Sequence, residues 1–304
     1  MELMEEKIKA LPLIDIKVFD VISLLNNPES NFEQIVQKLS PDLAARFLNI
    51  ANSAYYGTEV RSINHAVRLL GYREMKHILI TSILIDHFTQ RLEHFSFDKF
   101  QRQAQFCAAV SRVLGQILDY EKPENLFTVA ILHNIGKLVI AVYFGDEHKQ
   151  IIALKESDGI PTSDAEQRIL GATHAEIGAL VLGRFKVPKD ICDAVRFHHA
   201  EKRDTREASD FQLEAISRES AKIVGGFKLP DNIEPSNIIS LLEGAIVEGK
   251  RVQRKTLKTE MRTKGYRKIF PEILNEASRI VYSALREHLQ ERVLREEENF
   301  DILR

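Results

Sequence analysis

A chain of 304 residues with 44% hydrophobic content holds enough apolar material for one large domain or two ordinary ones, with a sizeable core. Charged residues make up 28% and the formal net charge is −2 at pH 7, which argues against a generic polyanion binder but leaves room for a local patch. Cys107 and Cys192 lie far apart with no C-x-x-C spacing, which argues against a disulfide framework or a thiolate zinc site; both sit in apolar helical patterns and read as small buried hydrophobes.

The start, "MELMEEKIKA", is acidic and lacks a long apolar core, so it does not read as a signal peptide. No uninterrupted apolar run approaches the roughly 18 residues of a membrane span, and the expected compartment is the cytoplasm, with no membrane partner.

Helical signals then dominate. "NPESNFEQIVQKL" pairs Ser30 with Glu33 in a capping box, ahead of Phe32, Ile35, Val36 and Leu39 at helical spacing. "SPDLAARFLNIANSAYYG" offers Ser40 as cap and Pro41 at the first helical position. "SINHAVRLLG" runs from a Ser62 cap to a Gly71 stop, and "YREMKHILITSILIDHF" reads as a more buried helix. Residues 97 to 118 form one apolar stripe; "PENLFTVAILHNIGKLVIAVYFG" reads as a helix from Pro123 to Gly145. "ATHAEIGALVLGRF" has Thr173 and Glu176 in capping-box relation, which makes His174 the first helical residue, and "VPKDICDAVRFHHA" starts at Pro188 and ends in His198 and His199. The polar stretch 200 to 212 is the best boundary, and beyond it "LEAISRESAKIVGGF", "SNIISLLEGAIVEG" and "PEILNEASRIVYSALREHLQERVLREEE" read as further helices. Near-continuous strands and Asn-Gly or Asp-Gly hairpins are missing, so the fold class is all-α.

Four of the ten histidines stand at helix ends or polar breaks: His133, His174, His198 and His199. Convergence of imidazoles from separate helices is what a transition-metal site requires. At a helix N-terminus the partial positive charge keeps His174 neutral. His198 and His199 would point about 100° apart on a regular helix, but could diverge usefully at its fraying end.

The segments "LPLIDIKVFDVISLLNNPESNFEQIVQKLSPDLAARFLNIANSAYYG", "SINHAVRLLGYREMKHILI", "LFTVAILHNIGKLVI", "THAEIGALVLGRFKVP" and "AVRFHH", in this order, resemble an HDOD domain. That family is a bacterial relative of the HD and HD-GYP metal-dependent phosphohydrolases. The resemblance implies a compact multi-helix domain over about 9–205, with an N-terminal half to about 95, an HD-like half from 96, and a helical C-terminal extension over 206–304. It also implies a signalling or regulatory role, with other signalling proteins as partners. The metal centre of the catalytic cousins falls on His133, Asn134, His174, His198 and His199. An asparagine therefore stands where they carry an acid. Their first histidine falls near Gln103, and Asp204 is a weak match to their last aspartate. Loss of the bridging carboxylate removes an anion that two ions would share, leaving at most a single transition-metal ion held by imidazoles. Lys137, one turn on from His133, could contact a phosphate or simply snorkel to water.

Residues 250 to 268, "KRVQRKTLKTEMRTKGYRK", hold nine Lys or Arg and one Glu. They read as a solvated face offset by the acidic tail, or as a patch for a nucleotide or nucleic acid that includes Arg254, Lys255 and Lys258, with Tyr266 to stack. Three functions stay open: a non-catalytic regulatory module, a residual metal-dependent phosphohydrolase, and a nucleic-acid binder.

Overall fold

The structure is a computed structural model. It describes residues 41–52, 60–89, 97–199, 210–226, 240–264 and 266–302, together with 4, 6–8, 35 and 39. The expected Ser30–Glu33 capping box, the Ser40 cap, most of "ANSAYYG" and Asp204 lie outside the described residues.

The described elements are all helical, as the periodicity predicts. They run α1 (Pro41–Ala51), α2 (Ile63–Thr89), α3 (Phe97–Ile117), α4 (Pro123–Leu132), α5 (Ile135–Tyr143) and α6 (Gly145–Asp158). There follow α7 (Thr162–Leu170), α8 (His174–Arg184), α9 (Lys189–Arg196), α10 (Phe211–Gly225), α11 (Glu243–Lys264) and α12 (Tyr266–Ile302). α6 and α7 have no counterpart in the sequence reading.

Local rules set most boundaries. Ser62 Oγ accepts from the His65 backbone N–H at 3.1 Å and so caps α2. Gly71 breaks α2 at φ +84°, a conformation that glycine adopts without strain, so the expected stop becomes a kink between two helical runs. Asn52, just after α1, donates from Nδ2 to the Val60 carbonyl at 2.8 Å, and its Oδ1 accepts from the Val60 N–H. One side chain thus ties the end of α1 to the residues that lead into α2.

α3 is the spine of the core. Phe106 through Val110, Val113, Leu114 and Ile117 are buried on it, and α4, α10, α11 and α12 pack against it. α10 belongs to the same core through Leu213 and Ile216, so the chain after the polar stretch folds back onto the domain before it.

The largest departure from expectation is the apolar run from Pro123. Its periodicity predicts one helix to Gly145, but it divides at His133 and Asn134 into α4 and α5. Asn134 takes φ −98°, ψ +10°, and its carbonyl starts α5 by accepting from the Lys137 N–H at 2.9 Å. The stretch Pro123–Tyr143 is long and apolar enough on average to cross a bilayer, but the break interrupts it and most of it is buried inside the fold. Likewise α11 continues past the expected end near residue 249 through the basic stretch, and α12 begins before Pro271 rather than at it.

Candidate metal centre

The turn between α4 and α5 and the start of α8 meet through glycine. A Cβ on Gly136 would overlap the His174 carbonyl oxygen and lie 2.9 Å from the Gly178 nitrogen. The glycine of "LHNIGK" is therefore a packing requirement: it lets α5 and α8 cross closely enough to bring His133 and Asn134 beside His174. The Thr173–Glu176 capping box forms as expected, with Glu176 N–H donating to Thr173 Oγ1 and Thr173 N–H donating to Glu176 Oε2, and makes His174 the first residue of α8. His198 and His199 follow α9 in a turn rather than sharing a helix, so the 100° separation does not apply to them.

Four rings converge. Centroids are 5.1 Å apart for His133 and His198, 5.3 Å for His174 and His198, 5.0 Å for His174 and His199, and 4.0 Å for His198 and His199. Ligand atoms of His174, His198 and His199 all lie within 4.8 Å of one another.

Hydrogen bonds fix what each ring can offer. His133 donates from Nδ1 to the Ala130 carbonyl at 2.6 Å, which leaves Nε2 as an acceptor. Asn134 fills it, donating from Nδ2 to Nε2 at 2.8 Å. An ionised aspartate could not make that bond, so at this position the amide completes a neutral pair. His198 donates from Nδ1 to the Val195 carbonyl at 2.6 Å, and its Nε2 lone pair is buried with no hydrogen-bond partner. His174 gives both its backbone N–H (2.8 Å) and its Nδ1–H (2.6 Å) to Glu166 Oε2, so its Nε2 also presents a lone pair. His199 Nε2 stands 3.1 Å from His174 Nε2. Two imidazoles on one ion at about 2.1 Å with tetrahedral angles would sit roughly 3.4 Å apart, near the separation found.

The five expected ligand positions thus separate into two groups. His174, His198 and His199 direct nitrogens toward one another, and His133 and Asn134 are joined to each other beside them. The side-chain oxygen Oδ1 of Asn134 is itself buried with no hydrogen-bond partner.

Electrostatics keep the rings neutral. Burial holds His133 down to about 3, with the Lys137 ammonium adding to the effect. His174 and His198 are held well below the usual histidine range, again by burial first, with Lys137 and the neighbouring rings contributing. Burial is thus the leading cause at His174, where the helix terminus was expected to act. His199 keeps an exposed edge, yet enough of its ring is enclosed to bring it down to about 4. Lys137 lies half-buried on the first turn of α5; burial lowers its pKa and the Glu166 carboxylate opposes that. Gln103 is half-buried on α3, and no hydrogen bond joins it to the histidines among the described residues.

The sequence reading missed Glu166. It is only 2% exposed, and burial pushes its carboxyl up to about 7 against the pull of the His174 N–H and Lys137. A signal for it was present: on α7, Glu166 falls among Ala165, Ile169 and Leu170 at helical spacing, a charge on an apolar stripe. A carboxylate behind a histidine fixes the tautomer and raises the basicity of the free nitrogen.

Comparison with known proteins agrees with this architecture. The model of the HDOD domain family matches residues 11–201. A curated relative, an uncharacterized protein of Treponema pallidum (strain Nichols), is 23% identical over 202 residues, which are 64% of this chain and 38% of that protein. The chain therefore spans less than half the length of that relative. A solved structure from Shewanella amazonensis SB2B, provisionally described as a phosphohydrolase, is 25% identical, covers 91% of this chain and 97% of its own, and superposes with a TM-score of 0.63. An HDOD domain protein with unknown function from Geobacter sulfurreducens is 20% identical over 89% of this chain and 93% of its own, with a TM-score of 0.59. With its family match over more than half of its length, the chain belongs to the HDOD domain family.

Proposed function

We propose that this chain is a regulatory module that acts through contacts with signalling proteins, and that its histidine cluster holds a single transition-metal ion instead of the ion pair of a phosphohydrolase. The observation that carries the metal reading is the Nε2 lone pair of His198, buried without a partner where His174 and His199 also direct nitrogens. An orphaned buried acceptor is costly, and an ion bound by all three rings would satisfy it. A neutral imidazole set suits zinc, nickel or cobalt and does not suit magnesium. His174, His198 and His199 would be the ligands and Glu166 the carboxylate behind them. When bound, the ion would supply a cross-link between α8 and the turn after α9 and a local positive charge.

What argues against hydrolysis is the lack of shared anions. Asn134 spends its amide on His133, and Glu166 is committed to His174. A two-ion clamp needs charge to offset both cations. The test is elemental analysis of protein purified without chelators, joined to assays with a generic phosphodiester and with cyclic dinucleotides. The expected result is bound transition metal with turnover far below the order of 1 per second seen in ordinary enzymes. Turnover at that rate would reinstate the phosphohydrolase, and no metal together with no metal-dependent thermal shift would remove the centre.

A further inference from the structure

We infer that the outer face of α11 binds the phosphate backbone of a nucleic acid. α11 is anchored inward by Leu242 just before it, by Ala245 and by Gln253, all buried. Its opposite side presents Val247, 71% exposed, with Arg251, Arg254 and Lys255 at i+4, i+7 and i+8 from it. These residues and Lys250 line a groove of about 630 Å³ along the helix.

The charge pattern is the second observation. A helix face that serves only solvation interleaves signs, so that neighbours four apart attract. Here Lys250 and Arg254, Arg251 and Lys255, and Arg254 and Lys258 are like-charged pairs at i,i+4. Each such pair works against the helix. Acids stand beside two of these cations: Glu248 pairs with Arg251 at 2.6 Å and Asp119 with Lys250 at 3.5 Å. Arg254 has no ion pair among the described residues, and it points into the same groove as its cationic neighbours.

The shape of the patch selects the ligand. From Lys250 to Lys264 the helix carries seven cations and one acid in its sequence over roughly 21 Å, a length of charge suited to a linear polyanion. A membrane-surface helix needs a broad apolar face to insert, and the apolar side of α11 is already spent on the core. The surface lies beyond residue 201, where the family match ends, so it is a property of this chain's extension. The inference is independent of the metal site.

Fluorescence anisotropy with a labelled 20-nucleotide oligo-dT and a 20-base-pair duplex, from 50 to 300 mM salt, tests it. Four cations on phosphates give a log K against log salt slope of about −3 for the single strand. Reversal of two of them in an Arg254→Glu, Lys255→Glu variant should weaken binding at least tenfold and remove about half of that slope. Lys149→Glu, Lys155→Glu on the exposed side of α6 makes the same change in net charge and should leave both unchanged, with circular dichroism confirming that each variant is folded. Equal losses in the two variants, no saturable binding at 50 mM salt, or binding to anionic lipid vesicles but not to either oligonucleotide would each overturn the inference.

Discussion

Where α5, α8 and the turn after α9 meet, four imidazoles are kept neutral by burial; along α11, Arg251, Arg254 and Lys255 stand open to water. Both regions concentrate basic side chains, and both were visible as such in the sequence. They depend on opposite terms. In the first, His133, His174 and His198 each have Nδ1 fixed by a hydrogen bond, and a shift of an ångström or a proton changes the site. In the second, the effect is a sum over side chains that are individually replaceable. The lesson is that a buried basic cluster should fail at single positions, whereas an exposed one should lose function in proportion to charge.

The largest effect should come from the contact that assembles the buried site. Gly136→Ala forces α5 away from the His174 backbone and should destabilise the protein by roughly 3 kcal/mol, read by urea unfolding. Gly183→Ala on α8, where an added methyl meets nothing within 4 Å, should be neutral or stabilising by up to about 1 kcal/mol. Equal effects at the two glycines would break the comparison at its structural root.

Acid should act next. A histidine with a folded pKa depressed to about 3 or about 4, against 6.5 for the free side chain, stays unprotonated in the folded state while the unfolded chain takes up its proton. Stability therefore falls as pH drops below 6.5. Glu166, raised to about 7 from 4.5, acts in the opposite direction between those two values. Four histidines held below their usual range against one raised carboxylate leave a net loss of stability as pH falls from 6 to 5. Unfolding midpoints measured across that range check the sign; a flat profile would mean that the rings protonate in place.

Glu166→Gln keeps an acceptor for the His174 N–H groups but removes the charge behind the ring. Metal affinity should fall about 10- to 100-fold in a competition titration with a chelator. Smallest of all, Arg254→Glu with Lys255→Glu should change unfolding stability by no more than about 0.5 kcal/mol per site, since both side chains are exposed.

Much of the fold was legible because helix termini are set locally. Ser62, Thr173 and Pro188 mark starts where the structure has them, and the apolar stripe of α3 is the stripe the sequence shows. The break at His133–Asn134 was not legible, because the flanking residues are uniformly apolar and periodicity cannot locate a turn inside such a run. The histidine set was legible as residue types, but its division was not. Whether Asn134 faces an ion or the neighbouring ring depends on which nitrogen of His133 donates to Ala130, a fact of three-dimensional geometry. Glu166 was not legible as a site residue, because its tie to His174, eight positions on, depends on how the chain turns between α7 and α8.

The central claim is that His174, His198 and His199 together hold one ion. Calorimetric titration of chelator-treated protein with zinc, run in parallel on His198→Ala, tests it most directly. One ion per chain in the native protein, and loss of that binding in a variant whose circular dichroism is unchanged, is the predicted result. Failure of the native protein to bind zinc, or equal binding by His198→Ala, would contradict it.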